Sequence, residues 1–542
     1  MSSIHENESY AGLIVGEATS NEFYFASRTE EYPPKWEYIV VKSQEIIDGQ
    51  PRSVDVLAQV ERITSSSQVL SKDVDLEALE KIKYARMEDV KTWGKARILG
   101  FLLEEEGATK ILLPRRAVVP GHPIYVAPKE LLTKFYSYPS GEGLYVGNLI
   151  TRCDVPVYLS LKGFRRHVAI IAQTGAGKSY CAGVLIEELL KKGATVVVID
   201  PHADYVLLHL NTDKSRHDLT EHITVFRNPS STGRYADKEL GNVKPYEIAF
   251  SDLNLEEICD IAGIRKAWGN IKEAVRVALD HLKDTHYSPA DLLKTLERMG
   301  EFDEAKEKKA LVSWAKSAQK YIREMGRLKV FGISTTPIED VLRPMHLSVL
   351  DLSGLNDESV DYVAYRALND IFDEVSSGRF GYPVFAVVEE AHKLIPPHDY
   401  SSSRASSIIN KIAAEGRKFG VFLILISQRP SKIDPDSLSQ CNSQIVMKLT
   451  NPQDQEAIAA SSERMSASLI NDLPGLNPGE AVVVGELTRT PVMIQVRQRQ
   501  WCEGGGDIEI VEKLKEARNS IHADSIINAD LGRREPFRSS KV

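Results

Sequence analysis

The stretch at 169–193, AIIAQTGAGKSYCAGVLIEELLKKG, constrains this chain more than any other. It reads as a short apolar strand, a glycine-bearing loop and a helix that stops at glycine. Within it, AQTGAGKS (172–179) matches the phosphate-loop pattern, except that alanine stands where the first glycine is usual. Backbone N–H groups of such a loop, and of the first helical turn, lack intrahelical partners and can point at phosphate oxygens. Thr174, Gly175, Ala176, Gly177, Lys178 and Ser179 are therefore expected to bind ATP. Lys178 would reach the β- and γ-phosphates, and Ser179 would hold Mg²⁺ through its hydroxyl. A glycine-containing turn can carry this spelling by chance, but the strand before it and the helix after it favour the nucleotide.

The surrounding pattern predicts an α/β protein. The apolar runs HVAIIA, TVVVID, HITVF, LSVLDL, VFAVVEE, VFLILIS and QIVMKL alternate with helical patterns, as in an open parallel sheet covered on both faces. Between about 253 and 326 the chain is dense in helix formers and reads as an all-helical insertion. Residues 1–150 differ: short β-prone runs alternate with turns rich in Pro, Gly and Ser, which predicts a small β-barrel or sandwich with a helix near Leu76–Tyr84. PSGEGLYVGNL marks the expected exit from that unit. The division is then 1–150, 151–500 and 501–542, the last holding a helix in DIEIVEKLKEARNSI and the polar end LGRREPFRSSKV.

A phosphate loop alone does not hydrolyse ATP, so carboxylates are needed at a second strand tip. PVFAVVEEAHKL supplies them: apolar residues carry the chain through the sheet, and Glu389 and Glu390 emerge at its C-terminal edge, where open α/β sheets place ligands. Glu389 is expected to orient the Mg²⁺ shell and Glu390 to activate the attacking water. Taken alone, the pair could equally cap the following helix. Gln428 ends the run VFLILIS, where it can sense the γ-phosphate or hold the water, or else simply cap the strand.

A net charge of -9 argues against a protein whose whole surface clings to nucleic acid or anionic membrane, while leaving room for a local basic channel. No apolar run approaches the roughly 20 residues that span a bilayer, and the start lacks a signal-peptide plan, so the cytoplasm is the expected compartment. The 5 cysteines are scattered without metal-ligand spacing and read as buried thiols.

Together, RHVAIIAQTGAGKS, VVVIDPHADY, VVEEAHKL, EGRKFG and SQRPSKID with LSQCNSQIVMKL resemble the motifs of the HerA family of hexameric DNA translocases, in the wider HerA/FtsK superfamily of P-loop ATPases. The likeness spans about 157–496, and the β-rich beginning resembles the barrel that precedes the motor in that family. The resemblance implies a RecA-like ATPase with a helical insertion behind a small barrel. It also implies a homohexameric ring with ATP at subunit interfaces and double-stranded DNA in the pore. It gives Arg417, on the expected loop before VFLILIS and too far along the sheet to serve its own phosphate loop, the part of an arginine finger acting in trans. Two departures stand out: Ala172 replaces glycine, and Ala203-Asp204 replaces the family's usual Gly-Glu pair, so DPHADY reads equally as a turn or a site. Arg227, Arg234 and Lys432 are candidates for lining a pore, or ordinary solvated residues.

The leading functional expectation is an ATP-driven duplex DNA translocase or helicase working with a partner nuclease, NurA-like as in archaeal relatives, or with a defence effector. The alternative is a ring-shaped scaffold for an effector, with slow or regulatory ATP turnover. A secretion-type motor at a membrane shares the architecture, but no basic amphipathic anchor supports it.

Overall fold

The computed structural model describes residues 9–518 except 86, 88, 106–107, 140, 284, 398–402 and 507–509. The polar end 531–542 lies outside the described residues, as do both ends of the expected C-terminal helix, which is helical over 510–518.

The β-rich beginning is a barrel rather than a sandwich. Tyr10–Ala18, Glu22–Ser27, Tyr38–Ile47, Gln50–Ser66, Lys91–Glu105 and Pro123–Val126 form its wall, which closes where Glu22–Ser27 pairs antiparallel with Lys91–Glu105. Closure removes the free edges that a small open sheet would expose. Residues of the inward faces, among them Ile14, Phe23, Phe25, Ile39, Val56 and Ile98, fill the interior. The helix Leu76–Tyr84 forms where its pattern predicts, started by Asp75, whose side chain accepts from the Ala78 amide.

A twelve-stranded sheet carries the rest. All seven expected runs are strands in it and lie parallel, in the order Ile223–Arg227, Leu347–Asp351, Thr195–Asp200, Val384–Val388, Val421–Ser427, Val168–Ile171, Ser443–Met447. Val243–Pro245 adds a parallel edge strand beside Ile223–Arg227. Beyond Ser443–Met447 the sheet turns antiparallel through Glu480–Val484, Val492–Val496, Gly143–Leu149 and Pro156–Ser160. The PSGEGLYVGNL stretch thus supplies a strand of this sheet, and the chain before Val168 already belongs to it.

The helical segment begins at Leu255–Ala262, with Asn254 and Glu257 in a capping box and Gly263 at its end. Gly269–Asp280, Pro289–Glu297 and Ala310–Met325 follow, Pro289–Glu297 being started by Ser288 with Pro289 in its first turn. Their apolar faces join the same core as Tyr362, Ala364 and Leu368 of the helix Asp357–Ser376, so the insertion is packed onto the motor rather than tethered to it.

Candidate nucleotide site

The strand order sets the site. Val421–Ser427 lies between the phosphate-loop strand Val168–Ile171 and the carboxylate strand Val384–Val388. Its tip residue Gln428 therefore stands between the loop and the carboxylates. The Thr174 hydroxyl donates to Gln428 Oε1 at 2.6 Å, and Gln428 Nε2 donates to Glu390 Oε2 at 3.2 Å.

The loop itself turns on glycine. Gly175 has φ +77° and Gly177 φ +100°, in the left-handed region that side chains resist. The helix Lys178–Lys191 starts directly after Gly177. Lys178 Nζ reaches Glu389 Oε2 at 2.6 Å and Glu390 Oε1 at 3.3 Å. Burial works against the lysine's charge, but the two carboxylates win and hold it above its ordinary value. Burial likewise opposes the charge on Glu390, and Lys178 overrides it, holding the carboxyl below the usual range. Glu390 takes φ +50°, a strained turn that separates the directions of two adjacent carboxylates.

DPHADY is both a turn and part of the site. The Asp200 carboxylate accepts from the amides of His202, Asp204 and Tyr205 at 3.1, 3.1 and 2.9 Å, which folds the turn. The turn then delivers two side chains. Ser179 Oγ donates to Asp204 Oδ2 at 2.7 Å and lies 3.4 Å from Glu389 Oε1, while the Tyr205 hydroxyl donates to Glu389 Oε1 at 2.6 Å. Ser179, Asp204 and Glu389 thus gather hydroxyl and carboxylate oxygens beside the loop, the donor type that suits Mg²⁺.

Sequence reading missed Tyr205 and His392. His392 Nδ1 lies 3.2 Å from both Glu390 Oε2 and Ser427 Oγ, flanking the carboxylate on the side away from Lys178's contact with Oε1. The signal for both lay inside motifs already marked out, one residue beyond Asp204 and two beyond Glu390.

Arg417 is not on a loop but in the last turn of the helix Arg404–Phe419, because its amphipathic pattern continues to the glycine stop at Gly420. It is exposed and precedes the start of Val421–Ser427, whereas the phosphate loop follows that strand's far end. A strand of that length separates the two by about 20 Å. Among the pore candidates, Arg227 donates to Asp351 at 2.9 Å and to Asp237 at 2.7 Å, which occupies its charge within the subunit. Arg234 donates to the Gly506 carbonyl, and Lys432 is exposed.

Comparison with known proteins brings in relatives along nearly the whole chain. The family model for the HerA helicase central domain matches residues 144–371. A probable helicase of Methanocaldococcus jannaschii is 31% identical over 94% of this chain and 94% of its own length. A probable DNA double-strand break repair helicase HerA of the same organism is 31% identical over 83% of this chain and 94% of its own. The DNA double-strand break repair helicase HerA of Pyrococcus furiosus is 27% identical over 95% and 98%. Among solved structures, VirB4 of Thermoanaerobacter pseudethanolicus aligns with a TM-score of 0.47 and 16% identity over 67% of this chain and 98% of its own. No described helix is long and apolar enough to cross a membrane.

Proposed function

Since the chain belongs to the HerA helicase family, a kinship that runs through barrel and motor alike, we propose that it is an ATP hydrolase that drives movement along double-stranded DNA. We propose further that it acts as a homohexameric ring that works with a partner nuclease or effector. The observation that carries the hydrolase reading is the unbroken chain of contacts Thr174–Gln428–Glu390–Lys178–Glu389 at the sheet edge. A strand-end cap needs none of these partners, whereas a site for breaking a phosphoanhydride uses a phosphate-binding lysine, a carboxylate to activate water and a polar group to orient them.

The residues divide the work as follows. Loop amides and Lys178 hold the phosphates, Lys178 leaving its carboxylates for the incoming oxygens. Ser179, with Glu389 and Asp204 beside it, would hold Mg²⁺, which when bound neutralises charge that develops on the phosphates. Glu390, released from Lys178, accepts a proton from the attacking water, and Gln428 fixes the direction of its carboxylate. Arg417, on the opposite sheet edge, would complete a neighbouring subunit's site.

Steady-state ATPase measured with and without linear duplex DNA, beside Glu390→Gln, tests the reading. Strong stimulation by duplex DNA that is absent in the variant is expected. A rate indifferent to DNA would favour the scaffold.

A further inference from the structure

After its last sheet strand, Val492–Val496, the chain does not leave the motor. Residues 497–506 run back across the phosphate-loop helix and onto the DPHADY turn. Glu187, fully buried on that helix, anchors the crossing. It accepts from the amides of Gln500 and Trp501 at 3.1 and 3.0 Å and pairs with the Arg497 guanidinium at 2.9 Å. Arg499 is buried flat on the same helix beside Gly183, where any Cβ would collide with its guanidinium. Its amide donates to the Tyr180 hydroxyl at 2.7 Å.

The crossing then zips onto the loop that follows Asp204. Thr212 N donates to Gln500 O at 3.0 Å, Cys502 N to Leu210 O at 2.8 Å, and Gly504 N to Asp204 O at 2.9 Å. Trp501 stacks on His217 with ring centroids 4.2 Å apart. Two glycines finish the contact, and each is needed for a different reason. A Cβ on Gly504 would land on the backbone carbonyl of Ala203, whereas a Cβ on Gly505 would land on Oδ1 of the Asp204 side chain. Tyr235 and Arg234 bond the carbonyls of Gly504 and Gly506 from the other side.

We propose that 497–506 is a positioning strap for the nucleotide site, with Gly505 as the residue that holds the Asp204 carboxylate against Ser179. The proposal rests on the reading of 172–179 as the phosphate loop. Nothing in the phosphate-loop, carboxylate or glutamine motifs requires a glycine run at 504–506. The strap supplies its physical cause: only a residue without a side chain lets the backbone pass over an acidic group that already has a partner. One consequence is that residues 497–506 and the metal side of the site cannot move independently.

Gly505→Ala tests this selectively, because the atom it displaces ends a flexible side chain while the strap backbone can stay. The readouts are binding of fluorescent ADP in EDTA and across a Mg²⁺ titration, the Mg²⁺ concentration for half-maximal turnover, and the melting temperature. Expected are unchanged binding in EDTA and an unchanged melting temperature, with a roughly tenfold rise in the Mg²⁺ requirement in both binding and turnover. Asp204→Ala should show the same rise, and adding Gly505→Ala to it should change nothing more, since two substitutions acting through one carboxylate do not add. An unchanged Mg²⁺ requirement in Gly505→Ala would overturn the proposal, as would an equal loss on top of Asp204→Ala, which would make the strap merely structural. Parent protein that binds no ADP in either condition would instead remove the phosphate-loop reading, and this proposal with it.

Discussion

Lys178 Nζ lies 2.6 Å from Glu389 Oε2, so the cation of the phosphate loop is held by the carboxylate strand. The pair is nearly sealed from water, Glu389 being 1% exposed. Binding must therefore exchange a carboxylate for a phosphate at the same ammonium.

Lys178→Ala should abolish that exchange. Nucleotide affinity is expected to fall at least about 100-fold, the loss of a charge-assisted contact in a partly dry site. Calorimetric titration with ATP checks this outcome; normal affinity would contradict the assignment of the loop.

Glu390→Gln should bind ATP and turn over about 10²- to 10⁴-fold more slowly, the usual range for one proton-transfer group. Gln428→Ala removes the bridge between Thr174 and Glu390 and should lower kcat by about tenfold with little change in KM, since it fixes direction rather than grips substrate. Single-turnover hydrolysis with both variants separates these effects from product release.

Arg417 should fail in its own subunit's site and act in a neighbour's. Mixing Arg417→Ala with Lys178→Ala subunits is expected to restore part of the ATPase activity, because some interfaces then pair an intact loop with an intact arginine. No recovery in an assembled mixture would place the whole site in one subunit.

Ala203 holds φ +60° while fully buried, in the position where the family's pattern has glycine. Ala203→Gly should relieve that backbone and raise stability by about 1 kcal/mol, the left-handed penalty less the extra freedom glycine gives the unfolded chain. Denaturant unfolding of the parent and variant decides it; a less stable variant would show that the turn is not strained.

Acid should destabilise the motor through two buried histidines. Burial pushes both His167 and His346 down to about 4. In His167 both ring nitrogens are used: Nε2 meets Ala413 O at 3.1 Å and Leu423 N donates to Nδ1 at 2.9 Å, so a second proton would face an N–H. With folded values below the unfolded 6.5, the unfolded chain binds more protons between about pH 6.5 and 4. Their stabilisation is complete above that window and is lost as pH falls through it, by roughly 3 kcal/mol per histidine from the linkage. Unfolding midpoints from pH 7.5 to 4.5 should fall accordingly, and more gently for a His167 variant that still folds.

Much of this architecture is legible in the sequence because local pattern and tertiary role agree. The seven expected parallel strands are mostly apolar runs, as suits strands buried on both faces, and Lys178, Glu389, Glu390 and Gln428 stand at or just beyond their tips. The antiparallel extension is harder to read, since GLYVGNL and PVYLS lie far in sequence from the strand Val492–Val496 that they extend. Arg417 lies just before VFLILIS, where a loop is expected, yet the helix runs on to its stop at Gly420. Asp204 is open to two readings in the sequence because a turn and a site use the same residue types, and only its neighbour Ser179, from the phosphate-loop helix, and the nearby Glu389, at the end of the carboxylate strand, separate the two. The strap was invisible for the same reason: its glycines have meaning only against a side chain about 300 residues away.

The most direct test of an ATP-driven motor on duplex DNA is displacement of a third strand from a DNA triplex placed ahead of the loaded protein. ATP should release the third strand from wild-type protein, with no release from Glu390→Gln bound to the same DNA. Hydrolysis stimulated by duplex DNA without any third-strand release would contradict movement along DNA and leave the ring as a scaffold that consumes ATP.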